Sequence, residues 1–340
     1  MSAPAIVREA DLAALSTFRL PARAAELIAL DRIDQLEQIP AESAGPTLVL
    51  GGGSNTIFLS DWPGRILLNR LRGIRVSDLD GGQARVEVAA GENWHDLVRY
   101  CIDHGLHGLE NLILIPGSVG AAPIQNIGAY GVELSDTLES VTAWDWQQSK
   151  LVHIPRQECG LGYRDSRFKS ADRGRFLITA VTLRLQRRFE PNTGYQSLAQ
   201  ALSLIQHSTP GPRELAATVM RLRRHRLPDP ARLPNAGSFF KNPIVASNQA
   251  RALLEAFPSL PHWPTAEGQF KLAAGWLIEQ LGFRGFRIKD AGVYQNHALV
   301  LVNHGAATAR DLLDLIEHIS SAVENEYGLA LEVEPLLVRA

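Results

Sequence analysis

Ser238 stands in the run NAGSFFKNP (235–243), behind Asn-Ala-Gly and ahead of two phenylalanines, a lysine, an asparagine and a proline. No serine of the chain lies in a G-x-S-x-G elbow, and no histidine lies within the run to activate a nucleophile. Donating a proton suits this hydroxyl better than attacking, the alternative being a distant histidine that folds in beside it. Two glycine-rich runs offer different chemistry. In GGGSN (51–55), the N–H groups of Gly51, Gly52 and Gly53 can form an anion nest, with Ser54 and Asn55 adding hydrogen bonds. IPGSVGAAPIQNIGAYGVEL (115–134) is uncharged up to Glu133 and rich in Gly, Ala and Pro. Small residues over such a length admit a large flat ligand, with Gln125 and Asn126 placed to pair with its heteroatoms. For both runs a plain structural turn is the competing reading. The basic run RLRRHR (221–226) is by default a solvated helix face, but directly before LPDP it can present one or two guanidiniums to a diphosphate.

Other chemistries are excluded. GGGSNT has Thr56 where a dinucleotide fingerprint needs its third glycine, and no G-x-x-x-x-G-K-[ST] run exists. The histidines show no H-E-x-x-H arrangement, and His104 and His107 only flank a glycine at a helix end, so no metal site is expected. A net charge of -2 gives no field to gather nucleic acid, so the expected partners are small molecules. Two cysteines, Cys101 and Cys159, fit a reducing compartment rather than a disulfide framework. With no apolar signal core and no membrane-length apolar run, the sequence predicts a cytoplasmic protein without membrane insertion.

The elements that must position these residues read as α+β. TLVL (47–50), ARVEVAAG (84–91), FLITAVTLRL (176–185), HALVLVN (297–303) and LALEVEPLLV (329–338) carry strand patterns. ENWHDLVRYCIDHG (92–105) is an amphipathic helix stopped by Gly105. GPRELAATVMRLRRHRLPDP (211–230) is a helix ended by its prolines, and KLAAGWLIEQLG (271–282) a helix stopped at Gly282. Thr308 with Asp311 reads as a capping box opening a helix to Gly328. A domain boundary falls near residue 226.

Taken in order, GGGSN, PGSVGAAPIQNIGAYGVEL, YRDSRFK (163–169), LPDP (227–230), NAGSFFKNP and LEVEP (331–335) resemble the UDP-N-acetylenolpyruvoylglucosamine reductases (MurB) across almost the whole chain. Tyr195 in PNTGYQSL resembles the form of that family with an extra substrate-covering loop. The resemblance implies a vanillyl-alcohol-oxidase-type FAD-binding region of two subdomains (1–71 and 72–225), a substrate domain (226–328) and a closing strand (329–340) carrying a catalytic glutamate. It implies an oxidoreductase of peptidoglycan synthesis, hence of cell wall biogenesis, cell shape and cell division, acting as a monomer. FAD is the cofactor, NADPH the reductant, and UDP-N-acetylglucosamine enolpyruvate the substrate.

The residue roles it implies follow the motifs. Ser238 matches the proton donor to C2, Arg164 of YRDS the arginine that holds the developing enolate and carboxylate, and Glu334 the closing glutamate, with Glu332 the alternative. FAD would be held by Gly51, Gly52, Gly53, Ser54, Asn55, Pro116, Gly117, Ser118, Gly120, Ala121, Gln125, Asn126, Gly128, Ala129, Tyr130 and Gly131. Tyr195, Arg223, Arg226 and Asn242 would bind substrate. Three positions depart from the family pattern: Arg226 replaces a usual lysine, Ser16 a frequent asparagine, and Ser118 a usual threonine. The competing functions are an alcohol or sugar oxidase of the same flavin fold, and a UDP-sugar-binding protein without catalysis.

Overall fold

Along strand Gln83–Ala89 half-covered and buried residues alternate without a break, as the two-residue period of a half-buried strand requires. The computed structural model describes residues 4–39, 45–204 and 209–340. The chain divides into two units, one of Met1–Ala10, Ala24–Gly52 and Pro63–Arg224, the other of Asp11–Arg23, Gly53–Trp62 and His225–Ala340.

In the first unit, Gln83–Ala89 joins an antiparallel sheet in the order Lys150–Pro155, Leu138–Asp145, Phe176–Gln186, Gln83–Ala89, Ile74–Leu79. Register pairs such as Val88 with Val181 and Val86 with Leu183 line up apolar side chains for one core. Helix Trp94–Asp103 packs Trp94, Leu97, Val98 and Cys101 into that core, its start capped by Asn93, whose side chain accepts from the Asp96 N–H. Helix Pro212–Arg226 adds Leu215, Ala216 and Val219. Its first residue is a proline, which costs nothing where an N–H has no helical partner. Burying each large apolar side chain contributes roughly 1.5–3 kcal/mol. A four-stranded sheet, in the order Ile6–Asp11, Arg23–Leu30, Trp62–Asn69, Thr47–Leu50, completes the unit. Thr47–Leu50 runs parallel to Trp62–Asn69 and delivers the chain to Gly51.

The second unit centres on the antiparallel order Asn235–Ser238, Val300–Asn303, Ala291–Val293, Arg287–Ile288. Helix Ala309–Tyr327 covers it with Leu312, Leu315, Ile319 and Val323, spaced three and four apart on one face. The helix opens on the Thr308–Asp311 capping box and ends at Gly328 in the left-handed conformation. Leu336–Val338 lies parallel to Thr56–Phe58, so segments distant in sequence close one sheet.

Three elements differ from their sequence readings. The helix expected over 271–282 is Ala274–Gln280, because Phe270–Leu272 pairs as a strand between Ile244–Val245 and His262–Pro264. Strand 297–303 starts only at Val300. Of the stretch read as a strand over 329–338, only Leu336–Val338 forms one, the LEVE part making a single bridge from Val333 to Phe240.

Candidate active site

In the first unit the two glycine-rich runs meet. A Cβ added to Gly51 would stand 2.1 Å from Ser118 Oγ, and one added to Gly52 would stand 2.8 Å from Gly117 Cα. Glycine is thus required there by the packing of the two loops, beyond any approach to a phosphate. At Gly120 a Cβ would lie 2.5 Å from Ala90 Cβ. The result is a cradle walled by backbone, with Pro116, Gly117 and Ala121 at least partly exposed along it. Such a cradle, without charged side chains and rich in backbone donors, suits a flat, polar-edged ring and its phosphates. These residues fit FAD.

Asn126 does not pair outward. It is buried in a left-handed conformation, its Oδ1 accepting from Ser135 N–H at 3.0 Å and its Nδ2 donating to Glu133 Oε2 at 2.8 Å and Gly162 O at 3.2 Å. The side chain expected to meet flavin heteroatoms instead ties the loop to the turn before Tyr163. Gln125 ends the short helix Val119–Gln125 beside it. Gly128 and Ala129 form a two-residue strand against Val132–Glu133, and Gly131 turns the chain with φ 80°.

Arg164 belongs to the same cluster. Its Nη2 donates to Gly128 O at 2.8 Å, and its guanidinium lies 5.5 Å from the Tyr163 ring. Asp165, next to it in sequence, accepts from the N–H of Ser166 and the hydroxyl of Ser170. Tyr195 packs edge-on against Tyr130, ring centres 5.4 Å apart. Arg223 is near both Tyr130 and Arg164. Its Nε is cut off from solvent and, among the described residues, meets no acceptor. Burial pushes the Arg223 guanidinium below its ordinary pKa, Tyr130 opposes that, and the Arg164 charge adds to it. Two guanidiniums brought together with one unmatched nitrogen call for an anion.

In the second unit, Gly53, Ser54 and Asn55 are tied to the N-terminal turn and the C-terminal run. Thr17 N–H donates to Gly53 O at 3.1 Å, and Thr17 Oγ1 lies 3.4 Å from Ser54 O and 2.7 Å from Asn235 O. Asn55 Nδ2 donates to Glu334 O at 3.4 Å, and Leu336 N–H to Asn55 O at 2.8 Å. Ser16, where the family often has asparagine, donates its hydroxyl to Thr56 O at 2.6 Å.

Ser238 ends strand Asn235–Ser238, whose ladder with Val300–Asn303 is irregular between Asn235 and Ser238. Gly237 supplies the kink with φ 73°. Asn235 sets its geometry, donating to Pro228 O and Leu233 O and accepting from Gly237 N–H. Beyond Ser238 the chain pairs with the closing run: Glu334 N–H donates to Phe239 O and Lys241 N–H to Glu332 O, both 2.8 Å. The two glutamates then separate. Glu332 is exposed and paired with Lys241, whereas Glu334 is half-buried beside the serine strand. Asn242 Oδ1 accepts from Ala274 N–H at 3.0 Å, leaving its amide hydrogens to donate. Arg226 is exposed and close to His297. Burial first, then Arg226, lowers the pKa of His297, and its Nδ1 accepts from Leu299 N–H at 3.2 Å. A neutral ring with that nitrogen occupied is no general base.

Sequence reasoning missed the residues that hold the site: Thr17, Asn111, Asn192 and Asn235. Asn111 Nδ2 donates to Tyr130 O at 2.8 Å and to Asn192 O at 2.9 Å. Its signal was the polar pair Glu110-Asn111 set among the apolar residues of LENLIL, and such groups demand partners when buried. Both cysteines are buried, which pushes the Cys101 thiol up to about 12 and that of Cys159 to about 11, far from thiolate chemistry.

Known proteins resemble the chain along its length. A family model described as UDP-N-acetylenolpyruvoylglucosamine reductase, C-terminal domain, matches residues 229–338, and one described as FAD binding domain matches residues 30–154. The UDP-N-acetylenolpyruvoylglucosamine reductase of Chromobacterium violaceum is 47% identical over 334 residues, 97% of this chain and 98% of that protein. That of Azoarcus sp. is 45% identical over 342 residues, covering 98% of each. The crystal structure of UDP-N-acetylenolpyruvylglucosamine reductase (MurB) from Thermus caldophilus, 27% identical, superposes with a TM-score of 0.67 over 99% of both chains. Identity of this extent along the whole length decides against the oxidase reading and places the chain in the UDP-N-acetylenolpyruvoylglucosamine reductase family.

Proposed function

We propose that the chain catalyses its family's reaction, the NADPH-dependent reduction, through FAD, of UDP-N-acetylglucosamine enolpyruvate to UDP-N-acetylmuramate, with Ser238, Arg164 and Glu334 as its catalytic residues. FAD, which the Gly51–Gly53 and Pro116–Ala121 backbone would hold, would supply the redox chemistry that links NADPH to C3 of the enolpyruvyl group. The chain's own residues must deal with C2, where enolate-like charge develops and a proton is needed.

The observation that carries the residue assignment is the state of Ser238. Its strand is bent to present it, while Asn235 takes up the local backbone groups. An alcohol is a weak acid, but a carbanionic carbon within hydrogen-bond reach is basic enough to take its proton. Arg164, whose planar guanidinium can bind bidentately, holds the carboxylate and the enolate charge. Arg223, with its unmatched Nε beside Arg164, is better assigned to that carboxylate than to the diphosphate. The diphosphate falls to Arg226, Tyr195 and the free amide hydrogens of Asn242. Glu334 orients the enol or a water.

The enzyme acts on these small molecules as a monomer in the cytoplasm; no helix among the described residues is long and apolar enough to cross a membrane. The test is anaerobic double mixing of flavin-loaded protein. NADPH should bleach the flavin band near ~450 nm and the enolpyruvyl sugar should restore it, with UDP-N-acetylmuramate formed. Bleaching without recovery would reject this substrate.

A further inference from the structure

The turn before helix Trp94–Asp103 and the helix's first residues hold the run 112–120 at several points. Gly120 N–H donates to Ala90 O and Val119 N–H to Glu92 O, both at 2.8 Å, and Trp94 N–H to Gly117 O at 3.0 Å. Trp94 Nε1 donates to Leu112 O, also at 3.0 Å. Between the anchors at 112 and 117 lies Leu114, a leucine with φ 62°. That left-handed conformation strains any residue with a branched side chain and persists only where neighbours enforce it. The Leu114 N–H donates to His95 Nδ1 at 3.2 Å. An accepting Nδ1 fixes the ring as the neutral tautomer with its proton on Nε2.

We propose that neutral His95 is a positioning residue that clasps Leu114 in its strained conformation and so holds the Pro116–Gly117–Ser118 turn in the shape that binds FAD, and that protonation of His95 releases the clasp. The proposal rests on the assignment of this loop to FAD. A protonated Nδ1 is a donor facing a donor, so the bond is lost and Leu114 can relax between the anchors that remain at 112 and 117. The other anchors are backbone groups and an indole, which do not titrate.

The charged groups facing His95 are Asp96 and Arg99 on its own helix and Arg224 on helix Pro212–Arg226. Burial lowers the His95 pKa most, Asp96 raises it, and the two arginines lower it. A depressed folded value means that the clasp is intact above the ordinary histidine range and is lost as pH falls through the folded value.

The experiment measures FAD affinity of the full chain by the fluorescence of released flavin from pH 8 to pH 5. The wild-type dissociation constant should be flat above neutrality and rise about tenfold on acidification. His95→Asn, whose Oδ1 can accept the same N–H but does not titrate, should remove the acid loss. His95→Ala should bind about tenfold more weakly at every pH, and adding Leu114→Gly should restore binding, because glycine adopts the left-handed conformation without strain. Identical pH profiles for wild type and His95→Asn would overturn the proposal, as would failure of Leu114→Gly to restore binding. If His95→Ala does not fold, Leu114→Gly alone decides, since it should flatten the wild-type acid loss. A protein that binds no FAD even at pH 8 would instead refute the loop's assignment.

Discussion

The loop 115–134 and the strand Asn235–Ser238 each carry a polar motif, and each divides it between building and chemistry. In the loop, Asn126 spends its whole side chain on Ser135, Glu133 and Gly162, and what remains toward a ligand is mostly backbone. In the strand, Asn235 takes the building role, and the serine three residues later keeps its hydroxyl for the reaction assigned to it. A cofactor that stays bound suits a surface of fixed amides, whereas a proton that must move needs a side chain left unspent. The lesson is that asparagines in these motifs are scaffold, and that the chemistry lies beside them.

Substitutions can break or sharpen this contrast. The largest effect is expected for Ser238→Ala, which should lower kcat by about 10²–10⁴-fold, the range for loss of a general acid, with thermal stability and flavin content unchanged. Asn126→Ala should do the reverse. Removing the buried Asn126 amide, which ties half-buried Ser135 and Glu133 together, should cost about 1–3 kcal/mol of stability, read as a lower Tm, and a selective kinetic defect without that loss would reverse the two roles. Arg223→Gln should raise KM for the enolpyruvyl sugar about tenfold or more while leaving the affinity for UDP unchanged. Weakened UDP binding would return Arg223 to the diphosphate. The smallest change is expected for Tyr195→Phe, about 1 kcal/mol or roughly fivefold in KM with kcat kept; lost flavin instead would mean that its packing on Tyr130 matters more than its hydroxyl.

Local signals were legible in the sequence. The Thr308–Asp311 box and Gly328 bound a real helix, and the alternation of 84–89 marks a real strand, because caps and periodicity act within a few residues. Long-range partners were not legible. Thr17 reaches Asn235 across 218 positions, and Phe270–Leu272 is a strand only because two other segments pair with it, which no helical pattern in KLAAGWLIEQLG can reveal. The different surroundings of Glu332 and Glu334 were likewise not legible, since only the fold pairs Glu332 with Lys241. The serine motif itself was readable, but the reason for its asparagine was not.

The most direct test of the central claim follows the two half-reactions of Ser238→Ala separately by anaerobic stopped flow. Bleaching of the flavin by NADPH should proceed at nearly the wild-type rate, while recovery of colour on adding UDP-N-acetylglucosamine enolpyruvate should be slowed by orders of magnitude, since the proton from Ser238 is used only in the second half. Equal slowing of both halves, or recovery at the wild-type rate, would contradict the role assigned to Ser238.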